Sequence, residues 1–311
     1  MNRRQWLQSF GATALLSTRA ASLAFAEPPT AQGFSFIFFT DTHIQPELKA
    51  AEGCRTCFKQ LESVPGDFAI CGGDLVFDAL AVPAARAVAL YDLFRQTSAA
   101  LRVPVHYTLG NHDVFGLTPK SGVATSDPQY GKKAFEDRYG PTRYSFDHKG
   151  WHFIVLDSIA PLPDRTWIGR VGQEQIAWLR DDLAKTGKTT PIVVVTHVPL
   201  VTGAVSYVPR ADWLSKTPSL AGLLDTLMVT DAAEVIDALL PYNIRVVLQG
   251  HTHVNEDITF RGLRFITSGA VSGNWWKGVR AGSPEGYSTL RLGIDGSVQH
   301  SYHAYGFQAV T

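Results

Sequence analysis

Charge imbalance, long apolar runs and cysteine are all scarce in this chain, and each shortage excludes something. The 28 basic and 28 acidic residues cancel, which removes any general attraction for nucleic acid or anionic lipid. Charged residues reach only 18%, below the roughly 25% usual in soluble proteins. No stretch approaches the roughly 20 consecutive apolar residues of a membrane-spanning helix. Cysteine occurs 3 times in 311 residues, at Cys54, Cys57 and Cys71, so at least one thiol stays unpaired. Cys54 and Cys57 fall in a helical pattern and not where a strand opens into a helix, which argues against a thioredoxin-like redox motif. Their i,i+3 spacing admits either a disulfide or two thiols, while Cys71, inside an apolar run, reads as a small buried residue. Hydrophobic residues, by contrast, make up 45%, enough for a sizeable core and too many for a disordered chain.

Residues 1–26 stand apart. They carry Arg3, Arg4 and Arg19 but no acid, a modest apolar run from Phe10 to Leu16, and an Ala24-Phe25-Ala26 end before Glu27-Pro28-Pro29. A charged start, an apolar middle and an A-x-A end make a removable export signal. The pair in Asn2-Arg3-Arg4-Gln5-Trp6-Leu7 resembles the twin-arginine class, an address read by the export machinery and not an anchor. The expectation is a signal over 1–26 and one domain over 27–311, in the periplasm or secreted from a bacterium. An uncleaved N-terminal helix is the alternative. Removing 1–26 leaves a slight acidic excess, which favours neither a polyanionic substrate nor a stable nucleic-acid partner.

Five apolar runs of strand length mark the rest of the chain: Phe34 to Phe39, Phe68 to Cys71, Val103 to Leu109, Ile192 to Val195 and Ile244 to Leu248. Their mainly continuous apolar character predicts sheets covered on both faces. Helical patterns lie over Glu47 to Leu61, Ala79 to Ala100, Gln173 to Lys185 (with Gly187 as its stop) and Asp231 to Leu240. In the last, Asp231 with Glu234 three residues on reads as a capping box. Thr142 to Asp147 and Trp151 to Leu156 read as a hairpin turning at His148-Lys149-Gly150. The tail carries short strands at 258–260, 263–267, 288–292 and 297–303. Residues 201–230 lack periodicity and read as a long surface insertion of the kind that shapes a substrate entrance. Alternating elements with a β-rich tail predict an α/β domain of two packed sheets.

The chemistry gathers at the ends of these runs. The five lead into Asp41-Thr42-His43, Gly72-Gly73-Asp74, Gly110-Asn111-His112-Asp113, Thr196-His197 and Gly250-His251-Thr252-His253. In open α/β sheets ligands bind beyond the carboxyl ends of the strands, so these ends gather imidazole, carboxylate and carboxamide groups at one edge. Such donors suit borderline and hard metal ions, and the absence of cysteine among them excludes a thiolate zinc site. Seven donors are too many for one tetrahedral ion and suit two ions sharing a carboxylate. The glycines before Asp74, Asn111 and His251 are expected to permit sharp turns.

The ordered blocks D-x-H, G-D, G-N-H-D, H and G-H-x-H resemble the calcineurin-like metallophosphoesterase superfamily. The resemblance implies a four-layer α/β/β/α sandwich of two mixed β-sheets flanked by helices. It also implies that Asp41, His43 and His253 bind one metal, that Asn111, His197 and His251 bind the other, and that Asp74 bridges them. Two divalent or trivalent cations (iron, manganese or zinc) roughly 3.5–4 Å apart are then expected to arm a shared hydroxide against a small phosphoester. His112 is expected to protonate the leaving oxygen, with Asp113 orienting it and keeping it protonated. The wording of the blocks looks most like bacterial cyclic-nucleotide phosphodiesterases and purple-acid-type phosphatases. The latter usually place Glu at the position of Asp113 and a tyrosinate at that of Phe77, which tilts the comparison toward the former. A broad-range exported phosphomonoesterase and a metal-binding protein without turnover are the alternatives.

Of the other histidines, His106 reads as a core or edge residue and His148 as a solvated hairpin tip. His152, His300 and His303 receive no role. Trp275-Trp276, in a Gly-rich loop, are expected either to flank the metal cleft with one ring that stacks on a flat leaving group, or to split into one packed and one surface ring.

Overall fold

The computed structural model describes residues 33–206 and 220–310. The expected signal over 1–26 lies outside them. The first strand shows how the architecture arises. In β1 (Phe34–Phe39), Phe34, Phe36 and Phe38 face one core and Ile37 and Phe39 the other, the period-2 alternation of a strand buried on both sides. The same alternation splits β8 (Ile192–Val195), where Val193 and Val195 join the first core and Ile192 and Val194 the second.

Two mixed sheets result. One has the order β13-β12-β1-β2-β3, with β2 (Ala69–Cys71) and β3 (Val105–Tyr107) parallel to β1, β12 (Gly286–Leu292) antiparallel to β1, and β13 (Val298–Ala304) antiparallel to β12. The other has the order β10-β11-β9-β8-β5-β4. Here β5 (Trp151–Val155), β8, β9 (Ile244–Gln249) and β11 (Leu263–Thr267) run parallel, and β4 (Tyr144–His148) and β10 (Glu256–Phe260) form antiparallel edges. Phe36 packs against Phe68 and Phe153 between the sheets, with ring centroids 5.2 and 5.6 Å apart. Helices cover the outer faces. Of these, α1 (Ala50–Leu61) lays Cys54, Cys57, Phe58 and Leu61 inward, and α2 (Ala84–Ser98) packs beside it through Leu90 and Phe94. This is the predicted α/β arrangement of two mixed sheets flanked by helices. No helix among the described residues is long and apolar enough to cross a membrane.

Several boundaries differ from expectation for local reasons. Leu48 and Lys49 adopt left-handed backbone (φ 54 each), so α1 starts after them and not at Glu47. Pro83 caps α2, which therefore begins at Ala84 and not at Ala79. The hairpin turn places Lys149 and Gly150 at φ 47 and 82, as a two-residue type I′ turn requires. Sequence patterning missed α3 (Lys133–Tyr139), which precedes β4, and a small hairpin of β6 (Ile159–Pro161) and β7 (Trp167–Gly169), which follows β5. α4 (Gln173–Thr186) ends at Gly187, as predicted. The stretch read as a surface insertion contains α5 (Leu220–Leu227), with Leu223 and Leu227 buried.

Asp231 does precede α6 (Ala232–Leu239), but no capping box forms. Its carboxylate instead accepts bonds from the N–H groups of Val171 (3.0 Å) and Gly172 (2.7 Å), at the start of α4. All three cysteines are free and buried, so the thiol alternative holds for Cys54 and Cys57. His148 is partly exposed at the hairpin end, and its Nε2 stands 2.7 Å from Asp67. His106 stacks on Phe146 at 3.8 Å between centroids.

Candidate metal centre

Each predicted donor leaves the carboxyl end of a parallel strand: Asp41 and His43 after β1, Asp74 after β2, Asn111 and His112 after β3, His197 after β8, His251 and His253 after β9. The loops brace one another. Asp41 N–H donates to Gly73 O (2.9 Å), His43 N–H to Asp74 O (3.0 Å) and Gly250 N–H to His197 O (3.0 Å). Asp41, His43, Asp74, His251 and His253 all hold left-handed backbone, with φ of 55, 38, 53, 72 and 61. Each such residue costs about 1–2 kcal/mol in an L-amino acid, and such strain concentrates where function requires it.

Two of the three glycines serve another purpose than the expected sharp turns. Only Gly73 among those preceding a donor has positive φ (103). Gly110 and Gly250 are there for close approach. A Cβ on Gly110 lies 2.2 Å from both the backbone N and Oδ1 of Asp74, and one on Gly250 lies 2.4 Å from Thr40 Oγ1.

The side chains converge in three overlapping groups: Asp41 with His43 and His253, His43 with Asp74 and His112, and Asp74 with His197 and His251. Within them His253 Nε2 is 3.3 Å from Asp41 Oδ1, His197 Nε2 is 3.2 Å from Asp74 Oδ2, and His43 Nε2 is 3.5 Å from that same Asp74 oxygen. His43 and His253 point their Nε2 atoms at each other, 3.0 Å apart. Asp41 Oδ1, Asn111 Oδ1, His197 Nε2 and His251 Nδ1 are buried with no hydrogen-bond partner. Orphaned lone pairs on buried oxygens and nitrogens are expensive unless a cation meets them. The donor set thus fits metal.

Backbone carbonyls fix which nitrogen is available. His197 Nδ1–H donates to Gly72 O (2.8 Å) and His253 Nδ1–H to Gly273 O (2.5 Å), leaving Nε2 as the lone-pair atom in both. His251 is reversed: Nε2–H donates to Thr226 O (2.9 Å), in the last turn of α5, so Nδ1 faces the site. Such outer bonds orient metal-binding imidazoles. Asp41 Oδ2 is likewise occupied, by Thr40 Oγ1 (2.6 Å) and His251 N–H (3.0 Å), which frees Oδ1.

Protonation is set by the surroundings. Burial drives His43 down to about 4 and His251 down to about 3, so both stay neutral. Burial opposes ionisation of Asp41 and Asp74, but the imidazoles of His253 and His197 outweigh it and hold both carboxyls well below the usual range. Burial also acts against charge on His197, yet Asp74 and Asp41 lift it to about 9. Neutral imidazoles and ionised carboxylates are the forms a cation binds, and at His197 a cation takes the proton's place.

One expectation changes. Asp113 does not orient His112. Its carboxylate accepts from the N–H groups of Leu75 (2.8 Å), Val76 (3.3 Å) and Gly110 (3.0 Å), tying the Asp74 loop to the Asn111 loop, while His112 Nδ1 has no partner. His112 is set instead by its backbone N–H on Asp74 Oδ1 (2.8 Å) and by its ring, edge-on to His43 at 4.8 Å. The two tryptophans divide. Trp276 is fully buried and donates Nε1–H to His43 O (3.0 Å), while half-buried Trp275 leans on His253, centroids 4.4 Å apart. Sequence reasoning missed Thr40, which carries an ordinary hydroxyl cue beside Asp41. It also missed Thr226, whose part is played by a main-chain carbonyl that leaves no residue signature.

Comparison with known proteins agrees with this geometry. The calcineurin-like phosphoesterase family profile matches residues 34–255. A Bos taurus protein named "Serine/threonine-protein phosphatase CPPED1" is 26% identical over 232 residues, spanning 73% of this chain and 66% of that protein, just under two thirds of its length. A Rhodococcus erythropolis protein named "Probable cyclic nucleotide phosphodiesterase" is 24% identical over 250 residues, spanning 78% of this chain and 72% of its own. A dimetal phosphatase structure from Danio rerio superposes with a TM-score of 0.61 at 14% identity, covering 88% of this chain and 97% of the other, which shows a shared fold. With its five motif loops, shared carboxylate and matching profile, the chain belongs to the calcineurin-like phosphoesterase family of metal-dependent phosphoester hydrolases.

Proposed function

We propose that this protein hydrolyses phosphodiesters at a two-metal centre. Asp41, His43 and His253 hold one cation, Asn111, His197 and His251 the other, and Asp74 is common to both. The observation that carries the reading is the overlap of the three donor groups at Asp74 and His43, with four orphaned donor atoms around them. Two bound cations supply water activation near neutral pH and neutralise charge on phosphate oxygens. The chain's own residues do the rest. The carbonyls of Gly72, Gly273 and Thr226 keep the imidazoles in one tautomer, so no reorganisation accompanies the reaction. His112, beside His43 and Asp74, is the proton donor of this reading, acting on the departing ester oxygen, a contribution of about 10²–10⁴-fold. Thr40 holds Asp41 in place from the outer side.

Relatives named as phosphodiesterases, 24% and 23% identical over most of this chain, support the diester reading. The bovine relative's name favours a monoesterase as the second reading. Export through the twin-arginine route, on Arg3-Arg4 and the Ala24-Phe25-Ala26 end, belongs to the same proposal and is checked by fractionating the native host. The test of chemistry compares bis(p-nitrophenyl) phosphate with p-nitrophenyl phosphate on metal-loaded protein. Faster diester cleavage, abolished by chelator and by Asp74→Asn, is expected. Undiminished turnover after chelation overturns the two-metal reading, and monoester preference overturns the diester one.

A further inference from the structure

We infer that Arg280, mounted on Trp275, is a receptor for a second anionic group on the substrate, one building block away from the scissile phosphorus. The inference deepens the hydrolase reading above and rests on it for the place of the scissile group.

Three observations carry it. The Arg280 guanidinium lies over the Trp275 ring at 5.3 Å, and that ring rests on His253 at 4.4 Å and near His43 at 5.9 Å. A cation is thus held two ring contacts from the metal donors. Second, Arg280 has no carboxylate partner among the described residues, and its Nε is buried without a hydrogen bond. The buried acid on the same loop, Glu285, sits beside Gly273 and makes no ion pair with Arg280. An arginine placed against an aromatic face keeps its planar N–H fork free for a bidentate oxyanion. An unpaired, half-buried guanidinium calls for an explanation of that kind.

Third, the loop is built to hold this pose. Trp275 and Trp276 both take left-handed backbone, φ 49 and 68, a strained arrangement for bulky residues. Trp276 is locked in the core by its bond to His43 O. Asn274 N–H donates to Gly278 O (2.8 Å), and Arg280 and Ser283 exchange both backbone bonds (2.9 and 2.8 Å). Free stacking of a flat leaving group on Trp275, one sequence expectation, fits less well, because Arg280 and His253 already lie against that ring.

The ligand class is a phosphoester bearing a second phosphate or carboxylate. The test uses a matched pair of substrates: thymidine 5′-(p-nitrophenyl phosphate), and the same ester carrying an added 3′-phosphate. Metal-loaded wild-type protein should favour the doubly anionic ester by about 10–100-fold in kcat/KM, the worth of a charged hydrogen bond. The gain should lie mainly in KM. Arg280→Gln should bring the ratio of the two substrates near one, and Arg280→Lys should restore part of it. Calorimetric binding of thymidine 3′,5′-bisphosphate against thymidine 5′-phosphate should show the same dependence on Arg280. A wild-type ratio near one, or a ratio and a binding preference unchanged in Arg280→Gln, overturns the inference. Arg280-dependent binding without turnover of either ester leaves the receptor standing and sinks the hydrolase reading.

Discussion

Gly110→Ala tests whether the two metal loops are fitted by contact and not merely by flexible turns. The backbone at Gly110 is extended (φ −102), so alanine has no conformational objection to the site. The added methyl does, since it meets the backbone N and Oδ1 of Asp74 at 2.2 Å. Normal carbon contacts need roughly 3.5–4.0 Å, so one loop must retreat by more than 1 Å. Overpacking of this kind costs about 1–3 kcal/mol in stability. The larger effect is on chemistry, where a displacement of about 1 Å removes on the order of 10²-fold in rate. The motion separates Asp74 from Asn111, the two side chains that the proposed centre joins through its cations. Gly122→Ala provides the contrast, because it places alanine at φ 68 with nothing within 4 Å and far from any donor in sequence. Metal content by elemental analysis and turnover of bis(p-nitrophenyl) phosphate are the readouts. Gly110→Ala should lose metal and about two orders of magnitude in kcat, whereas Gly122→Ala should lose about 1 kcal/mol of stability and keep its metal. The reasoning fails if Gly110→Ala keeps full metal content and turns over within twofold of wild type.

Other outcomes are equally definite. Phe36→Ala, at the centre of the inter-sheet core, should destabilise the fold by about 3–5 kcal/mol in denaturant titration. His152 bonds Asp147 (2.6 Å) and Asp182 (2.9 Å); burial opposes its charge, but the two carboxylates outweigh it and raise its pKa. That contribution to stability is complete below the unfolded value near 6.5 and fades as pH climbs through the raised folded value, so His152→Gln should flatten the decline of Tm above that point. Asp182 is shifted the opposite way: burial works against ionisation, and His152 and Ser145 overcome it, so its contribution is lost only in acid. Burial raises all three thiols, so a thiol reagent should find none in the native protein and the full set after unfolding. Asp113→Asn should impair folding and metal loading together, because it weakens three backbone anchors, without shifting the pH profile of turnover as a partner of His112 would.

The sequence disclosed the donors because each sits in a short local pattern, an apolar strand that ends in Asp, His or Asn. It disclosed the two-sided burial of the strands for the same reason: apart from Ser35, Phe34 to Phe39 is apolar on both faces. What stayed hidden depends on partners distant in the chain. Nothing near Asp231 shows that its carboxylate serves the start of another helix. Nothing in Gly-Asn-His-Asp shows that its last acid turns to backbone and not to the neighbouring imidazole. The left-handed pose of Asp41 and its fellow donors runs against residue preference and is imposed by the loops packed against them.

The braces between the donor loops have one last implication, for engineering. Val271 and Ser272 N–H reach Thr40 and Asp41 O, Asp41 N–H reaches Gly73 O, and Gly250 N–H reaches His197 O. No block is portable alone. Grafting a single motif into a foreign scaffold transfers the side chains but not the neighbours that twist them into place, so a transplanted centre must carry all its strand ends at once.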